Sequence, residues 1–194
     1  TFLKTLLGLQ PPIGGEIFWQ GKSLSHYSST ELARHIAYVP QAHSHLFPFL
    51  VQDMVMMGRS AFLKWYQTPK KSDLDLALMA LQELDIAHLA QRYYHQLSGG
   101  EKQRITIARA ILRDTPIIVL DEATAFADPQ NEEKIIKALS NLIIGKTTII
   151  IAHRLSTIKH ADKILVFERG KIIQSGTHED LIQKGLYKQL WQKY

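Results

Sequence analysis

The chain has 194 residues and a mass of 22.1 kDa, which suffices for one domain with a sizeable core. Apolar residues make up 45% and charged residues 21% of it, so a disordered, collagenous or fibrous protein is excluded. The 23 basic and 18 acidic side chains leave a net charge of +5, too modest to specify a partner, and the lack of cysteine excludes disulfides and thiolate metal sites.

The first residues predict the inside of a helix. Leu3, Leu6 and Leu7 share one face at helical spacing, and Gly8 ends the segment. Because the chain opens at Thr1 without an initiator methionine or an N-cap, we expect further residues upstream of it.

Two strands and a helical insert follow. Glu16–Trp19 and His35–Pro40 have the composition of strands, and Ser28–Glu31 between them predicts the cap of a short helix. Over residues 51–94 the apolar spacing becomes helical. We therefore predict a helical subdomain at 51–94, inserted in a single domain that spans residues 1–194.

Beyond Ser98 the pattern alternates between helices and apolar strands. The predicted helices are Glu101–Arg113, Gln130–Ile143, a short one after Leu155, and Glu179–Lys193; the predicted strands are Pro116–Leu120, Thr147–Ala152, Lys163–Phe167 and Lys171–Gln174. Strands that are apolar throughout, separated by amphipathic helices, indicate a parallel sheet covered on both faces. The predicted fold class is α/β.

Two adjacent carboxylates, Asp121 and Glu122, end the predicted strand Pro116–Leu120. The carboxyl ends of parallel strands face the ligand crevice, and consecutive side chains point to opposite faces. One acid could therefore hold Mg²⁺ while the other orients a water molecule. Taken alone, such a pair is more often two solvated acids at a strand end.

A serine and two glycines, Ser98, Gly99 and Gly100, open the next predicted helix. This arrangement exposes backbone N–H groups, removes Cβ obstruction and adds a hydroxyl donor, which together favour an anion at the positive end of the helix. Taken alone, it is an ordinary N-cap. Its position adds weight, because a single predicted helix joins it to the acid pair.

Three isolated polar residues complete an ordered series. Gln41 follows the strand that ends at Pro40, Asp128 precedes the next helix as a possible cap, and His153 ends a strand and should reach the same sheet edge as Asp121. Each is individually a weak signal, since a lone histidine is more often a surface or core residue. Their order along the chain strengthens them.

This ordered set resembles the nucleotide-binding subunit of ATP-binding cassette (ABC) transporters over essentially the whole chain. The resemblance implies a P-loop NTPase core that binds ATP and Mg²⁺, with ATP held between two such subunits. The resemblance also implies residue roles. Gln41 would be the glutamine-loop residue that senses Mg²⁺ and the membrane partner, and Ser98, Gly99 and Gly100 of the signature motif would contact ATP. Asp121 would bind Mg²⁺, Glu122 would be the catalytic glutamate, Asp128 the loop aspartate, and His153 would contact the γ-phosphate.

One departure from the family pattern lies at the start. The phosphate loop G-x-x-x-x-G-K-[ST] is absent, and Thr1–Lys4 resembles the segment immediately after it. Thr1 would then follow the Mg²⁺-binding hydroxyl and join the cofactor site. On this interpretation the sheet core is incomplete at its N-terminus, and we expect the 194-residue chain alone to be inactive.

The other departure is a mixture of subfamilies. Importers of iron chelates, haem and cobalamin are resembled by Tyr38–Gln41, Val51–Arg59 and the insert up to His95. Exporter-type cassettes are resembled by Asp121–Ala125 and Ile151–Thr157. The change falls near Leu97–Glu101, and a recombinant gene, an assembly artefact or a divergent branch would each produce it. The Phe126–Pro129 variant resembles exporter-folded transporters that handle siderophores, so both halves favour iron chelates.

The resemblance implies an ATPase on the cytoplasmic face of a bacterial inner membrane, working with a transmembrane permease and a second nucleotide-binding subunit on an iron–siderophore or other metal chelate. An exporter-type ATPase domain and a catalytically dead interaction module of the same fold are the alternatives. A nucleic-acid binder is disfavoured, because the sequence has no basic stripe or aromatic platform. The apolar stretch Leu46–Val51 is either a docking patch for the permease or part of the helical-subdomain core.

Overall fold

The computed structural model describes residues 2–40, 48–121, 129–152 and 155–193, apart from the side chains of 129–133. The chain divides into two compact units, Thr1–Ile149 and Ile150–Tyr194, each with its own apolar cluster. None of the described helices combines the length and the apolar character needed to cross a membrane.

The described residues reproduce most of the predicted elements. The α-helices are α1 (Phe2–Leu6), α2 (Ser29–His35), α3 (Val51–Met56), α4 (Lys71–Glu83), α5 (Gly99–Arg113), α6 (Pro129–Ile143), α7 (His178–Leu181) and α8 (Gly185–Lys193). The strands are β1 (Phe18–Trp19), β2 (Lys22–Ser23), β3 (Ile36–Val39), β4 (Ile117–Asp121), β5 (Thr147–Ile151), β6 (Ile164–Glu168) and β7 (Lys171–Gly176). Short 3₁₀ segments include Met57–Phe62 and Leu155–Ile158.

A three-stranded sheet has the strand order β3-β4-β5. Strands β3 and β4 run parallel, with Tyr38 opposite Val119 and Val39 opposite Leu120. Strand β4 is buried along Ile118–Leu120, and Ile118 and Leu120 belong to the same apolar cluster as residues of α5. The predictions of an α/β class and of a parallel sheet are therefore confirmed, and the pairing of β3 with β4 is given by the structure.

The prediction that β6 belongs to the parallel sheet is wrong. Strand β6 pairs antiparallel with β7 in a separate two-stranded sheet. Only Arg169 and Gly170 connect the two strands, and both have positive φ angles, 48° and 78°. Tight hairpin turns require such a backbone, whereas a parallel connection needs a dozen or more residues. The sequence pattern of alternating helices and strands did not reveal this turn.

Helix α5 is the element around which the first unit packs. It contacts α3, α4, α6 and β3, and its residues Ile105 and Ile107 are fully buried. The 3₁₀ segment Met57–Phe62 approaches it so closely that a Cβ on Gly58 would lie 2.7 Å from the carbonyl oxygen of Arg109. Close packing on several sides therefore fixes helix α5 within the first unit.

Residues 51–94 contain α3, α4 and several 3₁₀ turns, in line with the helical periodicity of their sequence. Their buried residues, such as Val51 and Leu81, belong to the same continuous apolar cluster as Val39 and Ile118 of the sheet. The boundary between the compact units falls after Ile149. The helical subdomain at 51–94, inserted in a single domain that spans residues 1–194, stays a prediction.

The second unit has a small core of Ile164, Val166, Leu181 and Tyr187. The phenol of Tyr187 lies 2.9 Å from Nδ1 of the buried His178, which joins α7 to α8. Burial, together with the charge of Glu179, raises the pKa of Tyr187.

Candidate functional site

Four of the predicted site residues lie within the described part of the chain: Ser98, Gly99, Gly100 and Asp121. The other five lie outside the described residues: Thr1, Gln41, Glu122, Asp128 and His153. The geometry of the site is therefore built from the end of β4 and the start of α5.

The half-buried carboxylate of Asp121 ends β4 and accepts a hydrogen bond from a neighbouring strand. The phenol of Tyr38 donates to its Oδ2 at 2.7 Å. Burial raises the pKa of Tyr38, and the hydrogen bond to Asp121 and its negative charge raise it further. The phenol consequently stays protonated and remains a donor to Asp121 throughout the neutral range.

Sequence reasoning missed Tyr38. Tyr38 lies near the carboxyl end of β3, as Asp121 lies at the carboxyl end of β4. A hydroxyl at that position was the available sign of a site residue. What brings the two together, however, is the register of β3 against β4, which pairs Tyr38 with Val119 and places Asp121 two residues further on the same face. Strand composition alone does not give that register.

The start of α5 is closed by a reciprocal cap. The backbone N–H and the hydroxyl of Ser98 donate to Oε2 of Glu101 at 2.8 and 2.7 Å, and Ser98 Oγ accepts from the Glu101 N–H at 3.3 Å. Burial would raise the pKa of Glu101, but these bonds and the charges of Arg104 and Arg92 lower it below its usual value. A carboxylate thus already lies on the donors of Ser98.

Two polar side chains are buried behind this cap. Gln103 and Arg104 are 4% and 7% exposed, and in the described part of the chain their Nε2 and Nε atoms have no hydrogen-bond partner. A cation this deeply buried favours negative charge nearby, and the first turn of a helix does the same. The start of α5 is therefore electrostatically suited to an anion.

The donor chemistry fits Mg²⁺ and a polyphosphate. Mg²⁺ is usually bound by one or two carboxylates together with waters and substrate phosphates, and Asp121 supplies one carboxylate. Within residues 2–40, 48–121, 129–152 and 155–193, no group of three or more ligating side chains forms a complete protein cage. The backbone N–H of the exposed Gly99 suits a phosphate oxygen, whereas the Ser98 N–H already donates to Glu101.

No hydrogen bond or ion pair between described residues joins Ser98 to Asp121. Helix α5 has 15 residues and lies between them in sequence, and at about 1.5 Å per residue it spans roughly 22 Å. The two parts of the candidate site therefore do not form one cluster through direct contacts in this chain.

The predicted docking patch Leu46–Val51 separates into two environments where it is described. Val51 is fully buried in the main core, whereas Phe49 is 40% exposed. Phe49 lines an open groove of about 840 Å³ whose other walls come from α3, the following 3₁₀ segment and the start of α4. Met57, Leu63 and Trp65 make the groove apolar, and three lysines surround it: Lys64, Lys70 and Lys71.

Residues 1–125 match the sequence profile of a family described as ABC transporter. An ABC transporter ATP-binding protein of Haemophilus influenzae is 73% identical over 152 residues, which cover 78% of this chain and 58% of that protein. The mycobactin import ATP-binding/permease protein IrtA of Mycolicibacterium smegmatis is 60% identical over 97 residues, 50% of this chain and 11% of IrtA. An ATP-dependent lipid A-core flippase of Burkholderia thailandensis is 39% identical, covering 96% of this chain and 32% of the flippase.

Two solved structures have the same fold. A bacterial Atm1-family ABC exporter with ATP bound matches 99% of this chain with a TM-score of 0.84 and 30% identity, and this chain covers 34% of the exporter chain. An inward-facing ABC transporter assigned to the metal-chelate type matches 93% of this chain with a TM-score of 0.77 and 31% identity, with 68% of that chain covered.

Proposed function

The chain belongs to the ABC transporter family, and we propose that it is the ATP-binding and ATP-hydrolysing part of a transporter for iron–siderophore or other metal chelates. The observation that carries the ATPase proposal is the half-buried carboxylate of Asp121, held at the carboxyl end of a parallel strand. This is the position at which open α/β sheets bind their ligands. The chain spans 58% of its Haemophilus relative and less of the other two, so activity, cargo and partners of the whole protein are all part of the proposal.

In this proposal the chemistry is divided among side chains at the ends of the central strands. Asp121 holds the hydrated Mg²⁺ that neutralises phosphate charge, and Glu122 orients and polarises the attacking water. His153 contacts the γ-phosphate. The proposed nucleotide and metal contacts are completed by Thr1, Gln41 and Asp128.

The start of α5 serves a second subunit. Ser98, Gly99 and Gly100 contact the nucleotide held by the partner, so that closure of the dimer completes each site. Two facts support this arrangement: Ser98 and Gly99 are exposed at the start of α5, and Arg104 is buried behind them. An anion could therefore reach this helix start from outside the chain.

A transmembrane permease is the other proposed partner, which places the chain on the cytoplasmic face of a bacterial inner membrane. The groove beside Phe49 suits an amphipathic helix, because its lining is largely apolar and its charged residues are three lysines and one acid, Asp53. IrtA is named as an ATP-binding/permease protein, so in that relative the two functions share one chain.

Two observations favour different cargoes. The similarity to a mycobactin import protein and to a transporter of the metal-chelate type supports a metal chelate. The lipid A-core flippase and the Atm1-family exporter, which match 96% and 99% of this chain, support an exporter-type ATPase domain as the second candidate.

Transport by the protein expressed from its complete reading frame, reconstituted with its permease in lipid vesicles, tests both candidates. We expect ATP-dependent movement of an ⁵⁵Fe-labelled siderophore. The matched variant is Glu122→Gln, which is nearly isosteric and removes only basicity. It should bind ATP but lower hydrolysis by roughly 10²–10⁴-fold and abolish transport.

Each outcome has a defined consequence. Movement of a fluorescent lipid instead of the siderophore would select the exporter-type candidate. ATP hydrolysis by Glu122→Gln within about threefold of wild type would remove Glu122 from the mechanism. Hydrolysis absent from the wild-type protein itself would favour the catalytically dead module.

A further inference from the structure

We propose that Tyr38 is a positioning residue for the Mg²⁺ site, holding the carboxylate of Asp121 in the orientation that binds the hydrated ion. The proposal rests on the proposed function, since it assigns Asp121 to Mg²⁺. It adds a residue on a different strand, distant in sequence, to that site.

The geometry follows from the pairing of two strands. Tyr38 on β3 lies opposite Val119 on β4, and Asp121 is two residues further along β4. Side chains two residues apart on a strand share a face, so the phenol and the carboxylate meet on the same side of the sheet. The 2.7 Å bond between them is short, as expected for a hydroxyl donating to a carboxylate.

The hydrogen bond from Tyr38 restricts the orientation of the Asp121 carboxylate. A carboxylate at a strand end can rotate about its side-chain torsions, and each rotation moves both oxygens. Tyr38 engages Oδ2, so that Oδ1 remains for an aqua ion in one preferred orientation. Groups that orient a metal ligand in this way affect metal affinity although they never touch the metal.

The surroundings of Tyr38 make the phenol itself well fixed. Its strand neighbours Ala37 and Val39 are 1% and 0% exposed, so β3 is anchored in the main core on either side of it. The ring is half-buried on the strand face that also carries Asp121. A rigid donor of this kind can pre-organise its acceptor.

The test compares Tyr38→Phe with Tyr27→Phe in the protein from its complete reading frame. Both substitutions remove one hydroxyl from a half-buried tyrosine. Tyr27 donates instead to the Trp19 carbonyl oxygen at 3.3 Å, at a place to which no site role is given, and therefore controls for a purely structural effect.

Two readouts are measured. In ATPase assays, Tyr38→Phe should raise the half-saturating Mg²⁺ concentration roughly 10-fold while kcat at saturating Mg²⁺ stays within about threefold of wild type. In electron paramagnetic resonance titrations of Mn²⁺ with a non-hydrolysable ATP analogue, which need no turnover, the same variant should bind Mn²⁺ roughly 10-fold more weakly. Tyr27→Phe should change neither value.

A third measurement reports the contact itself. Urea unfolding midpoints of Tyr38→Phe, Asp121→Ala and the double variant should be non-additive, the second substitution adding little to the first. Non-additive midpoints with unchanged Mn²⁺ affinity would overturn the positioning role, because the bond would then be structural only. Equal Mn²⁺ affinities with additive midpoints would overturn it as well.

Failure of the proposed function gives a different pattern. If the wild-type protein binds Mn²⁺ with the analogue but does not hydrolyse ATP, the catalytic proposal fails, and the Mn²⁺ affinities of the variants still decide the role of Tyr38. If the wild-type protein binds no Mn²⁺ with the analogue, the assignment of Asp121 fails and the role of Tyr38 fails with it.

Discussion

Helices α2 and α5 begin with almost the same hydrogen-bonded cap. At α2, the N–H and hydroxyl of Ser28 donate to Glu31 Oε2 at 2.7 and 2.8 Å, and Ser28 Oγ accepts from the Glu31 N–H at 3.2 Å. At α5 the corresponding distances between Ser98 and Glu101 are 2.8, 2.7 and 3.3 Å. We propose a nucleotide contact for only one of these two caps.

The difference between them lies outside the cap. Ser29 and Thr30 follow Ser28, whereas Gly99 and Gly100 follow Ser98, so the two residues after the second cap have no side chains. Arg104 is buried behind the second cap, whereas Arg34 of α2 is exposed and donates to the Ala61 carbonyl oxygen. Cap geometry alone therefore identifies a helix start, and its surroundings make it an anion site.

The first prediction separates the two caps by their effect on dimer formation, and its effect is the largest of those expected. In the protein from its complete reading frame, with Glu122→Gln to prevent turnover, Ser98→Arg should weaken the ATP-dependent dimer at least about 100-fold, close to 3 kcal/mol. The reason is that the larger side chain fills the space that the partner's nucleotide would occupy. Dimer formation is measured by light scattering across a range of protein concentrations.

Ser28→Arg is the matched control, since it loses an equivalent cap on a helix of the same unit. It should dimerise as the parent does. Normal ATP-dependent dimerisation of Ser98→Arg, or equal losses in both variants, would contradict the idea that Ser98 faces a second subunit.

The same two caps indicate which features a sequence can predict. Ser28–Glu31 and the cap at Ser98 were both predicted, because a capping box depends on residues three apart. The helical insert and β4 were also predicted, since periodicity and apolar runs are local signals. Each of these features needs only a short stretch of chain.

Features that depend on distant residues were not predicted. The Tyr38–Asp121 bond joins residues 83 positions apart and depends on strand register. The burial of Arg104 depends on how α5 packs in the first unit. The antiparallel pairing of β6 with β7 is a local feature and was missed for a different reason, because the Arg169–Gly170 turn has no strong sequence signature at its first position.

The second prediction compares how much each cap contributes to folding stability, and here the expected effect is smaller. Ser98→Ala and Ser28→Ala each remove an N-cap hydroxyl, and Ser98→Ala should lower the free energy of unfolding by about 1 kcal/mol. We expect the loss for Ser28→Ala to be similar, because the hydrogen bonds are equivalent. Urea unfolding followed by circular dichroism provides the measurement, and a loss at Ser98 several times that at Ser28 would indicate a further structural role for Ser98.

The smallest expected effect concerns pH. Hydrogen bonds from Ser28 lower the pKa of Glu31, and those from Ser98, acting against burial, lower the pKa of Glu101. A carboxylate whose folded pKa is depressed contributes stability that is fully present above its unfolded pKa and is lost as pH falls through the folded value.

Glu101→Gln and Glu31→Gln should therefore each reduce the melting temperature slightly at pH 7, since glutamine keeps the capping geometry but not the charge. The difference from wild type should begin to shrink near pH 4.5, the ordinary value for both groups, and disappear at lower pH. Calorimetric scans between pH 3 and pH 7 measure it, and a difference for Glu101 that persisted to the lowest pH would show that its side chain stabilises α5 through packing and not through its charge.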